Sequence, residues 1–330
     1  MGPRWGRSTD LALPAVASLP RMMRRRPDVA RLRSLARFEA DRFRRARQYP
    51  RADFSIEDRA TVTRDLRRDG VAVCRGVVDG SVLDELSSAL ERHLDTGTRL
   101  KRVVDDSARS PVDLGAPAVF LGADELCRGQ NHFRGRTNTA AVADPLLTCP
   151  AAIDLALHPI VIDIAANYLR CIPAVGGLNL RKSFANGLPE YDTLLFHRDG
   201  NSPKFLKFFF YLHDVDLTAG PFSYVRRSHR DRREPQRKKR WTPAEIKAMY
   251  GDEAILHLTA RAGDMIIADT TGFHRGTKPT AHDRSMLTVY YMVHDEYSGQ
   301  GPGFSLRCAD YDRLSPKQRA AADFLRVVDA

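Results

Sequence analysis

Three side chains that commonly bind metal ions occur in two segments of the chain. His197 and Asp199 are two residues apart at the end of a segment, 193–197, that is typical of a β-strand. Alternate strand residues point to the same face, so the imidazole and the carboxylate should lie side by side. His274 follows a second predicted strand, 264–269. Two histidines and one carboxylate form the facial triad that holds non-haem Fe(II) and leaves coordination positions open.

Arg284, whose guanidinium could bind a carboxylate ligand, lies ten residues after His274. Arg284 shares one face of a predicted strand with Met286, Thr288 and Tyr290. An arginine that faces a barrel interior is costly to bury unpaired, and a carboxylate satisfies its two-pronged guanidinium. These residues suggest a dicarboxylate cosubstrate that chelates iron at one end and pairs with Arg284 at the other.

Many short strands separated by Gly- and Pro-bearing turns must position these side chains. This spacing, with helices concentrated on the N-terminal side, predicts a mainly β fold with flanking helices (α+β), a double-stranded β-helix or jelly-roll barrel. Thr242, Pro243 and Glu245 carry the signature of a helix start. The other predicted strands are 71–78, 177–184, 205–212, 220–225, 254–258 and 285–293, and the other predicted helices are 54–68, 79–94 and 150–169.

The chain divides into a basic extension and one folded domain. Residues 1–52 form an N-terminal extension that is predicted to be partly helical, over 27–47, and most of its charge comes from arginine. Residues 53–330 are predicted to form a single jelly-roll domain with N-terminal helical support. A Gly-rich irregular stretch at about 96–148 is interpreted as a cover over the pocket. Candidate lining residues within this cover are His132, Arg134 and Arg136.

Composition favours a soluble cytoplasmic protein. Of 330 residues, 43% are hydrophobic and 28% charged, and no apolar run approaches the ~20 residues of a membrane span. Five cysteines without a CxxC pair indicate reduced thiols. The N-terminus has the wrong flanks for a secretory signal, and an organelle transit peptide is the minor alternative for its arginine-rich start.

The net charge of +11 concentrates in the extension and in a run at 226–240. A solvated face is the preferred interpretation of both segments over a nucleic-acid contact, because the run lacks interleaved aromatic residues. A third interpretation is that the run, with Arg181 and Lys182, attracts an anionic substrate.

The ordered motifs resemble the phytanoyl-CoA dioxygenase (PhyH) family of Fe(II)- and 2-oxoglutarate-dependent oxygenases. The resemblance extends over roughly residues 60–300. Its matching segments are FHRDG at 196–200, 212–225, Ser228-His229, Gly263-Asp264, FHRG at 273–276 and Arg284. It implies that His197, Asp199 and His274 are iron ligands and that Arg284 binds the distal carboxylate of 2-oxoglutarate.

The resemblance also implies the reaction, with O2 as the second cosubstrate. It predicts hydroxylation of a small organic substrate, with release of succinate and CO2. Asn179 and Phe209 fall near positions that line the cosubstrate. Gly276 stands where some members have a hydroxyl, so one hydrogen bond to the cosubstrate is either absent or supplied by Thr277. Because related halogenases replace the carboxylate with a small residue, Asp199 favours hydroxylation over halogenation.

A non-catalytic alternative remains open at this stage. The chain would then be a jelly-roll binding or regulatory protein whose basic arm contacts nucleic acid or a partner. The remaining histidines outside the cover are assigned structural or solvated roles, namely His93, His158, His213, His229, His257, His282 and His294.

Overall fold

The computed structural model describes residues 29–48, 57–108, 118–199, 203–204, 206–231, 240–293 and 304–329. The predictions on residues 1–28, Gly200, residues 232–239 and His294 lie outside these ranges. The strands are β1 Val71–Cys74, β2 Thr139–Ala141, β3 Ala174–Ser183, β4 Leu206–Tyr211, β5 Phe222–Val225, β6 Ile255–Leu258, β7 Met265–Asp269, β8 His274–Gly276, β9 Arg284–Met292, β10 Ser305–Arg307 and β11 Arg326–Val328. The helices are α1 Val29–Gln48, α2 Glu57–Asp69, α3 Gly80–Thr96, α4 Ala123–Leu126, α5 Gln130–Phe133, α6 Pro145–Thr148, α7 Pro150–Ala156, α8 Pro159–Leu169, α9 Pro243–Tyr250, α10 Cys308–Asp312 and α11 Pro316–Ala321.

Two antiparallel sheets enclose the barrel. The larger sheet has six strands in the order β1-β7-β4-β9-β3-β2, and the smaller has three in the order β6-β5-β8. Phe209 of β4 stacks on Phe222 of β5 with ring centroids 4.2 Å apart, so side chains of the two sheets meet in a shared interior. This arrangement is the predicted double-stranded β-helix. A parallel pair, β10 and β11, was not predicted.

Alternation along β4 separates the barrel interior from the helical side. Phe208 and Phe210 belong to the large core cluster that also contains residues of α3 and α8, whereas Phe209 and Tyr211 belong to the cluster inside the barrel. Strand neighbours point to opposite faces, so the sequence LKFFFY packs apolar rings on both sides of the sheet. The helices therefore bury one face of the larger sheet and leave the other face for the site.

Local sequence signals explain several helix ends. The side chain of Asp79 accepts a hydrogen bond from the Ser81 amide and begins α3, and Thr242 and Glu245 form the predicted capping box of α9. The single helix predicted over 150–169 is wrong, because the chain forms α7 and α8 with a break at Leu157 and His158. Pro159 is the first residue of α8, where its missing N–H leaves no bond unmade.

Helix α1 packs on the domain. Phe38 is buried in the large core cluster, and Arg45 donates hydrogen bonds to the carbonyl oxygens of Ile172 and Ala320, both at 2.7 Å.

The stretch Pro150–Leu169 is long and apolar enough to cross a membrane, but 72% of its most apolar part is buried inside the molecule.

The prediction of a strand at 193–197 is wrong. The structure has a short 3-10 helix, Asp192–Leu194, followed by isolated bridges from Phe196 to Trp241 and from His197 to His274. Asp192 has φ of +48°, which starts a turn rather than a strand. Because the two bridged residues pair with different partners, this segment crosses between neighbours instead of extending one sheet.

Candidate metal centre

The two histidines and the carboxylate lie together inside the barrel. His197 and His274 exchange two backbone hydrogen bonds of 2.9 Å, and their ring centroids are 4.3 Å apart. The Asp199 amide donates to the Thr270 carbonyl, which places its carboxylate beside the rings. One ligand atom from each of the three side chains lies within 4.8 Å of the others. The three predicted metal ligands are therefore brought together, although the strand that was predicted to position two of them is absent.

Backbone carbonyls orient both imidazoles. Nδ1 of His197 lies 2.9 Å from the Leu195 carbonyl oxygen, and Nδ1 of His274 lies 3.0 Å from that of Gly272. When Nδ1 carries the proton and donates to the carbonyl, Nε2 keeps its lone pair for a metal. Nε2 of His274 lies 3.6 Å from Oδ2 of Asp199, so these atoms face the same space.

The protonation states suit metal binding. Burial, followed by the neighbouring His197, lowers the pKa of His274 to about 3. Burial likewise lowers the pKa of His197. For Asp199, burial acts to raise the pKa, but Lys207 and the two histidines together hold it well below its usual range. At neutral pH the imidazoles are thus neutral and the carboxylate is ionised, as metal ligands must be.

Lys207 is a member of this site that sequence reasoning missed. Its ammonium lies 2.8 Å from Oδ2 of Asp199, and it also lies over the ring of Tyr290 at 4.5 Å from the centroid. Burial acts to lower the pKa of Lys207, yet Asp199 raises it above its ordinary value. The alternation of β4 predicted its inward face, but no sequence pattern indicated which partner it meets.

Arg284 is buried at the other end of the inner face. It is 1% exposed and donates to the Thr277 carbonyl at 3.0 Å and to Ser183 Oγ at 3.3 Å. Its Nε has no hydrogen-bond partner, and across the described ranges Arg284 makes no ion pair. Burial lowers its pKa to about 10. A carboxylate ligand would satisfy this guanidinium, as the sequence predicted.

The hydroxyl groups of Thr277 and Ser183 lie near Arg284, but only that of Ser183 contacts its guanidinium. Thr277 directs its Oγ1 to Ser223 Oγ at 2.6 Å, so its hydroxyl is engaged away from the guanidinium. Ser183, directly opposite Arg284 in the β3–β9 register, places its hydroxyl 3.3 Å from Nη2 of Arg284. A Cβ on Gly276 would lie 3.1 Å from Nη2 of Arg284, so glycine leaves room for the arginine tip.

A cavity of about 200 Å³ opens beside Arg284. Asn179, Arg181 and Ser183 line it from β3, and residues 101–104, Asp106 and 137–141 line it from the predicted cover. The metal-site residues are not among its lining residues, so the cavity occupies the Arg284 side of the barrel.

The three candidate lining residues of the cover do not line this cavity. His132 is exposed, Arg134 pairs with Asp283, and Arg136 pairs with Asp105 and Glu125. Their polar groups are committed to partners or solvent, away from the cavity. Phe209 is also absent from the lining, because its ring stacks inside the barrel on Phe222, whose ring lies 5.6 Å from that of His274.

Buried polar atoms without partners run between these two ends. Oδ1 of Asn179, Oγ1 of Thr288 and the Nε atoms of Arg181 and Arg284 have no hydrogen-bond partner among the described residues. Asn179, Thr288 and Phe209 form one row across β3, β9 and β4. Because buried polar groups are normally paired, this face fits a polar ligand that spans from the triad to Arg284.

An oxygen- and nitrogen-donor triad and a buried arginine inside a double-stranded β-helix are features of the class of 2-oxoglutarate-dependent non-haem iron oxygenases. The family model for phytanoyl-CoA dioxygenase (PhyH) matches residues 66–286, and the chain belongs to this family. Iron and 2-oxoglutarate are the cofactor and cosubstrate of the site. The match agrees with the resemblance that the motifs showed over residues 60–300.

Solved structures share the fold at low sequence identity. The epimerase SnoN in complex with Fe3+, alpha ketoglutarate and nogalamycin RO is 19% identical, with a TM-score of 0.52 over 71% of this chain and 83% of that chain. A second structure of SnoN, a non-haem alpha ketoglutarate-dependent epimerase from nogalamycin biosynthesis, is 20% identical, with a TM-score of 0.50 over 71% and 80%. Comparison with curated protein sequences gives no significant match.

Proposed function

We propose that the protein is an Fe(II)- and 2-oxoglutarate-dependent dioxygenase that hydroxylates a small organic substrate, with release of succinate and CO2. One observation carries the proposal: a neutral histidine pair and an ionised carboxylate offer three ligand atoms within 4.8 Å of one another. The buried, unpaired Arg284 supports a cosubstrate with a second carboxylate.

Each residue has a role in this proposal. His197, Asp199 and His274 hold the iron, which with O2 and 2-oxoglutarate supplies the oxidising power for a C–H bond. Arg284 binds the distal carboxylate and so fixes the orientation of the cosubstrate. Ser183 holds the guanidinium in place through its hydroxyl. Phe209 and Phe222 form an apolar wall near His274 that excludes water.

The carboxylate favours hydroxylation among the oxidations open to such a site. Asp199 fills the position that a halide needs at the iron of related halogenases. SnoN is described as an epimerase, and epimerisation leaves the mass of a substrate unchanged. Hydroxylation adds one oxygen atom, so the mass of the product after labelling with 18O2 separates the two outcomes.

The first test needs no substrate. Under anaerobic conditions, Fe(II) and 2-oxoglutarate should give a weak visible charge-transfer band with the wild type and no band with His274→Ala. His257→Ala is the matched control, because this histidine contacts Ser223 on β5 and is not one of the three triad residues. No band in the wild type, or an undiminished band in His274→Ala, would leave the non-catalytic jelly-roll interpretation in its place.

A second test follows the cosubstrate in air. Slow conversion of 2-oxoglutarate to succinate without added substrate is expected for the wild type and absent in His274→Ala. Wild-type protein that shows the anaerobic band but forms no succinate under O2 would argue against the oxidative reaction.

A further inference from the structure

The cavity beside Arg284 holds more positive charge than the cosubstrate can neutralise. Lys101, Arg181 and Arg284 all line it, and none of the three makes an ion pair in the part of the chain that the structure describes. A 2-oxoglutarate bound as proposed would direct one carboxylate to the metal and one to Arg284. Arg181 would then remain without an anion, and Lys101 would have only the longer-range attraction of the Asp144 carboxylate.

Arg181 is directed to the cavity by its position on β3. Asn179, Arg181 and Ser183 alternate along the strand and share one face, and all three line the cavity. The Nε atom of Arg181 is buried and has no hydrogen-bond partner. Burial lowers the pKa of Arg181, while the nearby phenols of Tyr290 and Tyr211 act in the opposite direction.

Lys101 enters the same cavity from the cover. Its ammonium donates to the Leu178 carbonyl at 3.2 Å and lies over the Phe304 ring at 5.0 Å from the centroid. An ammonium has three donors, so these contacts leave capacity for an anion. Burial is the first cause that lowers the pKa of Lys101, and the positive charge of Arg181 adds to it.

The acidic residues at the cavity wall do not neutralise these cations. The carboxylate of Asp106 accepts the backbone amide of Asn138 at 2.7 Å. Asp192 pairs with Arg240 on the outer side. Arg181 and Lys101 thus face the cavity with their remaining donors, and a buried cation without a paired anion is unfavourable.

We propose that Arg181 and Lys101 form a subsite for an oxyanion on the substrate, a carboxylate or a phosphate monoester. This inference rests on the proposed function and names the substrate class of the same site. The planar guanidinium of Arg181 binds two oxygens of such a group, and the ammonium of Lys101 adds a point charge in the same cavity. The anion would thereby fix which carbon of the substrate faces the metal.

Binding of small probes tests this subsite. Propionate, methyl phosphate and the neutral propionamide are titrated by calorimetry into protein that is loaded with Ni(II) and 2-oxoglutarate. The variants are Arg181→Leu, Arg181→Lys and Lys101→Met. Lys182→Met is the matched control, because Lys182 is the next residue of β3, points to the opposite face and pairs with Glu91. The melting temperature of each variant verifies its folding.

The expected result is saturable binding of at least one anion and none of propionamide. Arg181→Leu should weaken anion binding by about tenfold to a hundredfold, the usual effect of a lost charged hydrogen bond, and Lys101→Met by about tenfold. Arg181→Lys should lie between wild type and Arg181→Leu, and Lys182→Met should match wild type. The tighter of the two anions identifies the group that the substrate carries.

Three outcomes overturn the inference alone. The first is that neither anion binds, and the second is that binding is equal in wild type and Arg181→Leu. The third is that Arg181→Leu weakens 2-oxoglutarate binding as strongly as Arg284→Leu does, which would make Arg181 a cosubstrate residue. Failure of the proposed function would give a different result. The anaerobic band of Fe(II) and 2-oxoglutarate would then be absent in the wild type itself.

Discussion

The ammonium of Lys207 and the carboxylate of Asp199 form a buried ion pair at the metal site, with Nζ 2.8 Å from Oδ2. The same oxygen lies 3.6 Å from Nε2 of His274. Lys207 thus supplies a positive charge to the oxygen that faces the histidines. A metal ion that binds this oxygen competes with the lysine for it.

Replacement of Lys207 by methionine should therefore favour the metal. We expect Lys207→Met to lower the melting temperature of the metal-free protein, because an unpaired buried carboxylate is destabilising. The affinity for Co(II), measured by titration of its visible absorption, should rise by about tenfold, since no ammonium has to be displaced. Lys204→Met is the control, because that ammonium lies over the Tyr168 ring outside the triad. Equal Co(II) affinities in Lys207→Met and wild type would contradict the competition.

A methyl group at Gly276 should weaken cosubstrate binding. Its Cβ would lie 3.1 Å from Nη2 of Arg284, and the tip of that arginine is held by Thr277 and Ser183. Displacement by a few tenths of an ångström should raise the Kd of 2-oxoglutarate about threefold to tenfold, as expected for one weakened charged hydrogen bond. Gly187→Ala, where no atom lies within 4 Å of the new Cβ, should leave the Kd unchanged. An unchanged Kd in Gly276→Ala would show that the arginine tip adapts freely.

Acid should destabilise the metal-free protein through its buried histidine. The pKa of His274 is lowered from 6.5 to about 3. Between these values the unfolded chain binds the proton and the folded chain does not, so the stability present above about pH 6.5 is lost as the pH falls toward 3. The melting temperature of the wild type should fall more steeply than that of His274→Phe between about pH 7 and about pH 5. Parallel curves would show that another group controls the acid response.

Helix α1 should contribute to the stability of the domain through Arg45. Two carbonyl oxygens and the carboxylate of Asp323 accept its hydrogen bonds, and the side chain is buried. Arg45→Met leaves both carbonyls without this donor and should cost about 1 to 3 kcal/mol in urea unfolding. Arg44→Met is the control, because Arg44 is exposed and pairs only with Asp41 of its own helix. A change in Arg45→Met no larger than in the control would mean that α1 is dispensable for the fold.

Local signals in the sequence predicted much of the architecture. The alternation of β9 predicted which of its residues share a face with Arg284, and the start of α9 was read from its capping residues. The break between α7 and α8 was missed because 150–169 is apolar throughout, and Pro159 is equally compatible with the first turn of a helix. The strands of three residues, such as β2 and β8, depend on long-range pairing that no short pattern reveals.

In the candidate site, too, local sequence predicted some features, whereas others depend on long-range pairing. His197, Asp199, His274 and Arg284 were identified from residue type and order, and the structure brings the three potential ligands together. Lys207 and Ser183 were missed as partners, because cross-strand register decides what each of them contacts. The predicted proximity of His197 and Asp199 was argued from a strand that is absent, whereas a backbone bridge between His197 and His274 holds the segment in place.

The reciprocal backbone bonds between His197 and His274 also determine when the site forms. These residues are distant in the sequence, so their pairing closes a long loop and must await the strands between them. A metal ion bound to both imidazoles would be a second link that closes this loop. Because the link would form late in folding, it would slow unfolding more than it speeds folding. The lifetime of the folded chain would then depend on its iron supply.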